Sequence, residues 1–309
     1  MLRQGRVNKL IIGTRGSALA LKQAHHIRNS LQSTHPHLGV EIKTIQSLGD
    51  DKQETPLPEI GAKGLFTAEI ESELLSQKID LAVHSLKDLP STLPKDLKYA
   101  GSPKREDARD VFISHKWRSL EDVPARSIIA TGSIRRKAQF LEVRSDLEFC
   151  DLRGNIETRL AKLKTEGWDG IIMAAAALHR LNMVEQITRY LDPLQFVPAV
   201  GQGAIGLEIK QERVEVEQLV ESIIDAETTQ CCQAERLFLA HLEGGCSTAI
   251  GCWGRIENRR FLITGYAATS NGSQVIRKSM KGMPADSNQL ALHLAEEFEH
   301  AGAKELLAG

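Results

Sequence analysis

A cysteine preceded by two glycines stands in the C-terminal third of the chain, in Leu242-Glu243-Gly244-Gly245-Cys246-Ser247-Thr248. Thiol chemistry needs a sulfur that a reactant can reach, and a glycine pair lets the backbone turn where side chains would obstruct. The run Phe238-Leu239-Ala240-His241 reads as the end of a helix, and Ala249-Ile250-Gly251-Cys252-Trp253 reads as a strand. Cys246 therefore sits on a tight turn between rigid elements, a place to hold something covalently. On spacing alone a buried structural thiol is the simpler reading, because free cysteine behaves mostly as a small hydrophobe.

A second reactive group follows the short apolar strand Leu81-Ala82-Val83. There His84-Ser85-Leu86-Lys87-Asp88-Leu89-Pro90 presents Lys87 beside Asp88, and Pro90 forces an extended exit. Open α/β sheets place their chemistry at the C-terminal ends of strands, which makes Asp88 a candidate catalytic carboxylate. A solvated charge pair in a turn is the plain alternative.

The third feature is a set of arginines near strand ends and helix starts. Thr14-Arg15-Gly16-Ser17 joins a strand (Lys9 to Gly13) to a helix whose apolar stripe is Ala20, Ala24, Ile27 and Leu31. Ser17 there is a cap, and the loop offers N–H groups, a hydroxyl and a guanidinium to an anion. Ala130-Thr131-Gly132-Ser133-Ile134-Arg135-Arg136 repeats the pattern, as does Asp151-Leu152-Arg153-Gly154-Asn155 with Arg159 just beyond. Trp168 to Ala174 is a further strand that leads through small residues to His179-Arg180. A helix start is electrically positive and favours acids, so arginines there oppose a local preference. Such conflicts mark functional sites, here a cleft for a ligand with several carboxylates or phosphates.

The elements around these residues alternate strand and helix, which predicts an α/β architecture. The polar stretch from Ser102 to Asp110 reads as a crossing into a second domain, and the glycine-punctuated Val197-Pro198-Ala199-Val200-Gly201-Gln202-Gly203 as a crossing back. The boundaries expected are residues 1–103 with 203–224 for a discontinuous first domain, 104–202 for a second, and 225–309 for a small α+β domain carrying Cys246. Asn271-Gly272 in that last segment predicts a hairpin, and Leu290, Leu294 and Phe298 line a closing helix. A long polar loop with Pro56 and Pro58 precedes a helix that opens at Gly61-Ala62-Lys63-Gly64 and carries Phe66, Ile70 and Leu74 on one face.

With 309 residues, 41% hydrophobic and 26% charged, the chain has the composition of a soluble protein of two or three domains. Its formal charge of −1 exerts no general pull on nucleic acid or membranes, so clustered arginines point to a small anionic ligand. The five cysteines form no C-x-x-C pair, and an odd number argues against a disulfide framework. No metal is expected, since the histidines, His25-His26 and His35-x-His37 included, show no paired ligand spacing. The start lacks an apolar signal core and no apolar run reaches membrane-spanning length, so the location expected is cytoplasmic.

Taken together, these junctions resemble the porphobilinogen deaminase (hydroxymethylbilane synthase) family from about Lys9 to Gly254, with a looser match beyond. The motifs that carry the resemblance are GTRGSALAL (13–21), AKGLF (62–66), AVHSLKDLP (82–90), SIRR (133–136), LRGNIETRL (152–160), PAVGQGAIG (198–206) and LEGGC (242–246), in the family's order. The resemblance implies two periplasmic-binding-protein-like (type II) α/β domains joined by two crossings, plus a third α+β domain. It implies a transferase, a cytoplasmic monomer, that adds four porphobilinogen molecules head to tail to a dipyrromethane cofactor held by Cys246 through a thioether. Ammonia and a linear tetrapyrrole are released. By motif, Asp88 maps to the catalytic aspartate. Lys87, Asp88, Ser133, Arg135, Arg136, Arg153 and Gly154 map to cofactor contacts. Arg15, Ser17, Arg159, Arg180 and Gln202 map to substrate contacts. Bidentate guanidinium–carboxylate pairs suit a chain that gains carboxylates with every unit. Gly132 stands where the family more usually has serine, and Ala249 where it has proline. The rival reading is a carboxylate-binding protein of the same fold without turnover, which gives no role to Gly244-Gly245-Cys246 or to Lys87-Asp88.

Overall fold

The computed structural model describes residues 8–47, 67–243 and 248–308. Apolar runs bounded by glycine and polar residues become strands, and capped amphipathic stretches become helices. In chain order these are β1 (Lys9–Thr14), α1 (Ala18–Thr34), β2 (Gly39–Thr44), α2 (Ala68–Leu75), β3 (Leu81–Ser85) and β4 (Leu97–Gly101), then β5 (Asp110–Ile113), β6 (Ile128–Ala130), α3 (Ile134–Val143), β7 (Glu148–Cys150), α4 (Ile156–Thr165), β8 (Gly170–Ala174), α5 (Ala175–Arg180) and β9 (Arg189–Tyr190). After these come β10 (Ile205–Lys210), α6 (Val214–Glu221), α7 (Ala226–His241), β11 (Ile250–Glu257), β12 (Arg260–Ala268), β13 (Val275–Gly282), α8 (Ser287–His300) and α9 (Ala303–Ala308).

The chain divides into two units, with crossings after Arg105, Gly203 and Thr229. The first unit takes residues 204–229 as a returning segment, and the second groups 106–203 with 230–309. In the first unit the sheet order is β2-β1-β3-β10-β4, with β1, β2 and β3 parallel and β10 antiparallel to both neighbours. The second unit's larger sheet repeats this plan as β7-β6-β8-β5-β9, with β6, β7 and β8 parallel and β5 antiparallel to both neighbours. In each sheet the antiparallel fourth strand is the one that directly follows a crossing. Parallel strands need both faces covered, and alternate residues go to opposite layers. In the first unit Leu10, Ile12, Leu81, Val83 and Leu207 pack with Ala24, Ile27 and Leu31 of α1 and with Val216 and Val220 of α6. On the other face Ala82 and Leu97 pack with Ile70 and Leu74 of α2. In the second unit Val111, Ile113, Ile171 and Met173 face α4 and α5, whereas Phe112, Ile129 and Ile172 pack with Phe140 of α3.

The C-terminal segment forms a three-stranded antiparallel sheet, β11-β12-β13, with a core of its own between α7 and α8. Phe238 and Phe298, both fully buried, meet edge to face at 5.0 Å, worth about 0.5–1.5 kcal/mol beyond the area they bury. The predicted Asn271-Gly272 turn lies between β12 and β13 within a six-residue connection, longer than a two-residue hairpin. Gly272 adopts φ +69°, and a Cβ there would stand 2.4 Å from the Ala138 carbonyl oxygen. Two strands escaped the sequence reading: β4 lies in a polar stretch, and β9 spans two residues. No helix among the described residues is long and apolar enough to cross a membrane.

Candidate functional site

In the first unit the C-terminal ends of β1 and β3 open into a hollow of about 410 Å³. Arg15 and Ser17 reach it from the β1–α1 loop, Gln23 from α1, and His84, Ser85 and Asp88 from the end of β3. Ser17 caps α1, its Oγ accepting from Ala20 N–H at 3.3 Å. The Thr14 hydroxyl, fully buried, donates to the Val83 carbonyl at 3.2 Å and locks the two strand ends together. A single 3-10 turn, Leu86–Asp88, then carries Lys87 and Asp88, both half-buried. Asp88 borders the hollow; Lys87 is not among its lining residues. The Gln23 amide donates to the Ser85 hydroxyl at 3.0 Å, so the floor is held by a polar pair 62 residues apart in sequence. The sequence reading missed Gln23 and Ser85. The available signals were the polar Gln23 beside the apolar stripe of α1, and the place of Ser85 within the AVHSLKDLP motif.

The second unit carries the remaining arginines. Ser133 caps α3, accepting from Arg136 N–H at 3.4 Å, which puts Arg135 and Arg136 in that helix's first turn. Both are buried, 3% and 6% exposed, around Asp110 of β5. Arg135 Nη2 donates to Asp110 Oδ2 at 2.8 Å and Nη1 to the Val197 carbonyl at 2.6 Å. Arg136 donates to Asp110 Oδ1 from Nε at 3.0 Å and from Nη2 at 2.8 Å. Gln202 Nε2 also donates to Asp110 Oδ1, at 2.9 Å, and to the Ala108 carbonyl at 2.7 Å. Burial pushes the Asp110 carboxyl up, but the two guanidiniums and the Gln202 amide hold it well below the usual carboxylate range. Burial also pulls Arg135 down, and Arg136 beside it acts in the same direction. Among the described residues Asp110 is the one carboxylate bonded to this pair, so two buried cations share a single anion. A surplus buried charge is unfavourable unless something neutralises it. The arginines expected to meet a ligand directly are thus also the interior scaffold of their domain, and Asp110, which organises them, was missed. It is one of several acids in a polar stretch, and nothing local sets it apart.

Arg153 before α4 and Arg159 within it are half-buried, and the cap Asn155 accepts from Thr158 N–H at 2.8 Å. Gly154 adopts φ +109°, which glycine tolerates and other residues rarely do, and its carbonyl accepts from Arg159 Nε at 2.8 Å. Arg180 stands at the C-terminal end of α5 rather than a helix start, and donates from Nη2 to the Gly203 carbonyl at 2.7 Å. Burial pulls its guanidinium down to about 10, with Glu106 opposing. A Cβ on Gly132 would stand 2.8 Å from the Leu152 carbonyl oxygen, so a serine there needs the loop before α4 to shift. Cys246 and its glycines, the AKGLF motif and the 48–62 loop lie outside the described residues. No group of three or more histidine, cysteine or acidic side chains placed to hold a metal occurs among the described residues.

Two family models match the chain, "porphobilinogen deaminase, dipyromethane cofactor binding domain" over residues 10–218 and "porphobilinogen deaminase, C-terminal domain" over residues 229–300. Porphobilinogen deaminase of Alkaliphilus metalliredigens is 44% identical over 296 residues, covering 96% of this chain and 94% of the relative. That of Syntrophobacter fumaroxidans is 41% identical over 296 residues, covering 96% of each. Among solved structures, a periplasmic substrate-binding protein of an ABC transporter from Coxiella burnetii is similar with a TM-score of 0.45 at 11% identity, over 69% of this chain and 91% of the other. The strand-end carboxylate, the capped arginine loops and the motifs around them belong to one continuous match along nearly the whole sequence, and the chain belongs to the porphobilinogen deaminase family.

Proposed function

We propose that this protein, a transferase by its family, joins four porphobilinogen molecules head to tail and releases ammonia and the linear tetrapyrrole hydroxymethylbilane. The observation that carries the reading is the first unit's hollow, which gathers Arg15, the Ser17 cap and the carboxylate Asp88 at the ends of two parallel strands. Porphobilinogen offers the complementary groups: acetate and propionate arms for a guanidinium and a helix start, and an aminomethyl arm and pyrrole N–H for a carboxylate.

The family's dipyrromethane group is tested by the chemistry of the donor set. Its acetate and propionate arms need cationic donors, and the Arg135–Arg136 pair, with Asp110 as the one carboxylate bonded to it among the described residues, holds a surplus positive charge that such an arm would neutralise. The residues fit. Cys246 would hold the group by a thioether, with Lys87, Asp88, Ser133, Arg135, Arg136, Arg153 and Gly154 around it, and Arg15, Ser17, Arg159, Arg180 and Gln202 would take the incoming substrate. When bound, the group supplies a terminal pyrrole carbon as nucleophile. Asp88 offsets the cation left when the C–N bond of the aminomethyl arm breaks, accepts hydrogen bonds from pyrrole N–H, and serves the proton transfers of the reaction. The arginines hold the carboxylate arms so that the reacting carbons meet in line.

The reading includes a cytoplasmic monomer acting on a small substrate, with residues 225–309 as a third domain. A carboxylate-binding protein without turnover shares the arginines but predicts no covalent adduct. Mass spectrometry of the denatured protein tests the proposal: an increment of two linked pyrrole units, mapped to Cys246 and absent from Cys246→Ser together with activity, is the expected result. An unmodified protein that forms hydroxymethylbilane at full rate removes the role of Cys246. One that forms none from porphobilinogen removes the function.

A further inference from the structure

Beneath the first unit's hollow lies a set of buried ionisable side chains that the scheme above leaves unused. His84 borders the hollow and is 5% exposed. Its Nε2 stands 3.0 Å from Oε2 of Glu208 on β10, which is fully buried. The sheet explains the meeting: β3 and β10 run antiparallel with Gly206 opposite His84 and Glu208 opposite Ala82, so His84 and Glu208 are diagonal neighbours on one face. A carboxylate only accepts, which makes Nε2 the donor and fixes the ring's orientation. No hydrogen bond within the described residues uses Nδ1, and Glu208 Oε1 has no partner there either. Glu71 comes from α2, which packs on both strands. Burial pushes its carboxyl up, and the nearby Glu208 adds to the effect. The ring is thus pinned on one nitrogen by a buried acid while its other nitrogen is unused beside a reactive hollow. That is how a base and its orienting carboxylate are arranged in unrelated active sites.

We propose that His84, oriented by Glu208, is a second proton acceptor of this hollow, a role that rests on the function proposed above. The aminomethyl arm enters in its ammonium form, its carbon–nitrogen bond breaks, and ammonia leaves with the electron pair. A carbon–carbon bond forms between the methylene and the accepting pyrrole. The ring carbon then gives its proton to His84 Nδ1, and the C–H electron pair restores the aromatic ring. The proton passes to the departing ammonia, which leaves as ammonium, and the dyad returns to its starting state. This division has a physical reason. A carboxylate that holds the ring proton no longer offsets the next cation, whereas a second acceptor that takes this proton leaves Asp88 charged when the next cation forms. The ionisable groups around His84 are Glu208 on β10 and Glu71 on α2, and Asp88 and Arg15 line the same hollow.

The test uses His84→Gln, whose amide keeps a donor for Glu208 and removes the Nδ1 acceptor, and Glu208→Gln, which keeps an acceptor for Nε2–H and removes the charge. Each is loaded with preformed hydroxymethylbilane, and intact mass confirms the primer before steady-state hydroxymethylbilane formation is followed across pH. For His84→Gln the expected result is a fall in turnover of about 100-fold or more, a KM within about threefold of the parent, and loss of the acid limb of the pH–rate profile. Glu208→Gln lowers turnover by a smaller factor, again with KM kept. Turnover within about threefold of the parent with an unchanged profile overturns the proposal, and so does a loss confined to KM. If His84→Gln does not accept the primer, Glu208→Gln decides on the same two readouts. A parent protein that makes no hydroxymethylbilane overturns the functional reading instead, which keeps the two failures apart.

Discussion

The first unit's hollow and the second unit's arginine network handle charge in opposite ways. The hollow is open, and among its described lining residues Arg15 and Asp88 are half-buried beside hydroxyl and amide groups, with His84 buried beneath them. In the network the charges are already buried and paired: Asp110, Arg135 and Arg136 are 1%, 3% and 6% exposed and hydrogen-bonded to one another. The desolvation of those arginines is met during folding rather than at binding, which presents a fixed surplus of positive charge to whatever arrives. The comparison teaches that residues of one type and one motif style can sit at a reactive rim or in a rigid scaffold, and burial decides which.

Substitutions can break that contrast. The largest effect is expected at Asp88. Asp88→Asn keeps the shape and removes charge and basicity, so turnover should fall about 10²–10⁴-fold while the denaturation midpoint stays that of the parent. Asp88→Glu, which keeps the charge, should retain more activity. The pair of measurements is single-turnover ammonia release and chemical denaturation. A variant with near-parent turnover, or one that loses stability instead, removes the distinction between rim and scaffold. Asp110→Asn should behave in the reverse order. It leaves two buried guanidiniums without an anion, so about 3 kcal/mol or more of stability should be lost, visible as a lower denaturant midpoint before any kinetic assay.

The two units should also differ in the sign of their pH dependence. The folded Asp110 carboxyl lies below its unfolded value, so its stabilisation is complete above about pH 4 and is lost as pH falls toward the folded value. Burial raises the Glu71 carboxyl in the first unit, so the proton it holds favours the folded state at low pH. Its contribution declines as pH rises from about 4.3 through the folded value. Thermal denaturation from about pH 3 to pH 7 should show a shallower acid-side loss in Asp110→Asn and a shallower decline toward neutrality in Glu71→Gln. Slopes of the same sign for the two sites would contradict the contrast. The smallest effect is reserved for an exposed pair in the second unit, Arg277 with Glu142 at 2.9 Å on both branches. Arg277→Ala should cost about 0.2–1 kcal/mol by urea denaturation. A loss as large as that of Asp110→Asn would show that ion pairing, rather than burial, is what matters.

Much of this molecule is legible in local sequence. The caps Ser17, Ser133 and Asn155 each stop a loop and start a helix, and each accepts a first-turn N–H in the structure. Runs such as Leu81-Ala82-Val83 and Ile171-Ile172-Met173 are apolar on both faces because helices cover both sides of their sheets. The motifs with Arg15, Asp88 and the arginine pair are contiguous, so residue order alone marks them. Asn271-Gly272 shows the limit of such reading: the turn signal is present, but the connection is six residues long. The interactions that organise the sites are of another kind. Asp110 reaches Arg136 across 26 positions and Gln202 across 92, and His84 reaches Glu208 across 124. Those meetings exist only because β5 and β10, each the first strand after a crossing, insert antiparallel as the fourth strand of a sheet. Hydrophobic period and capping chemistry act over a few residues and are written in the chain, so the sequence by itself determined most of the elements and the family. Which arginines are solvated and which are buried on a carboxylate depends on strand pairing across a hundred residues, where loop closure and burial of both sheet faces choose the partners. That choice belonged to the tertiary structure.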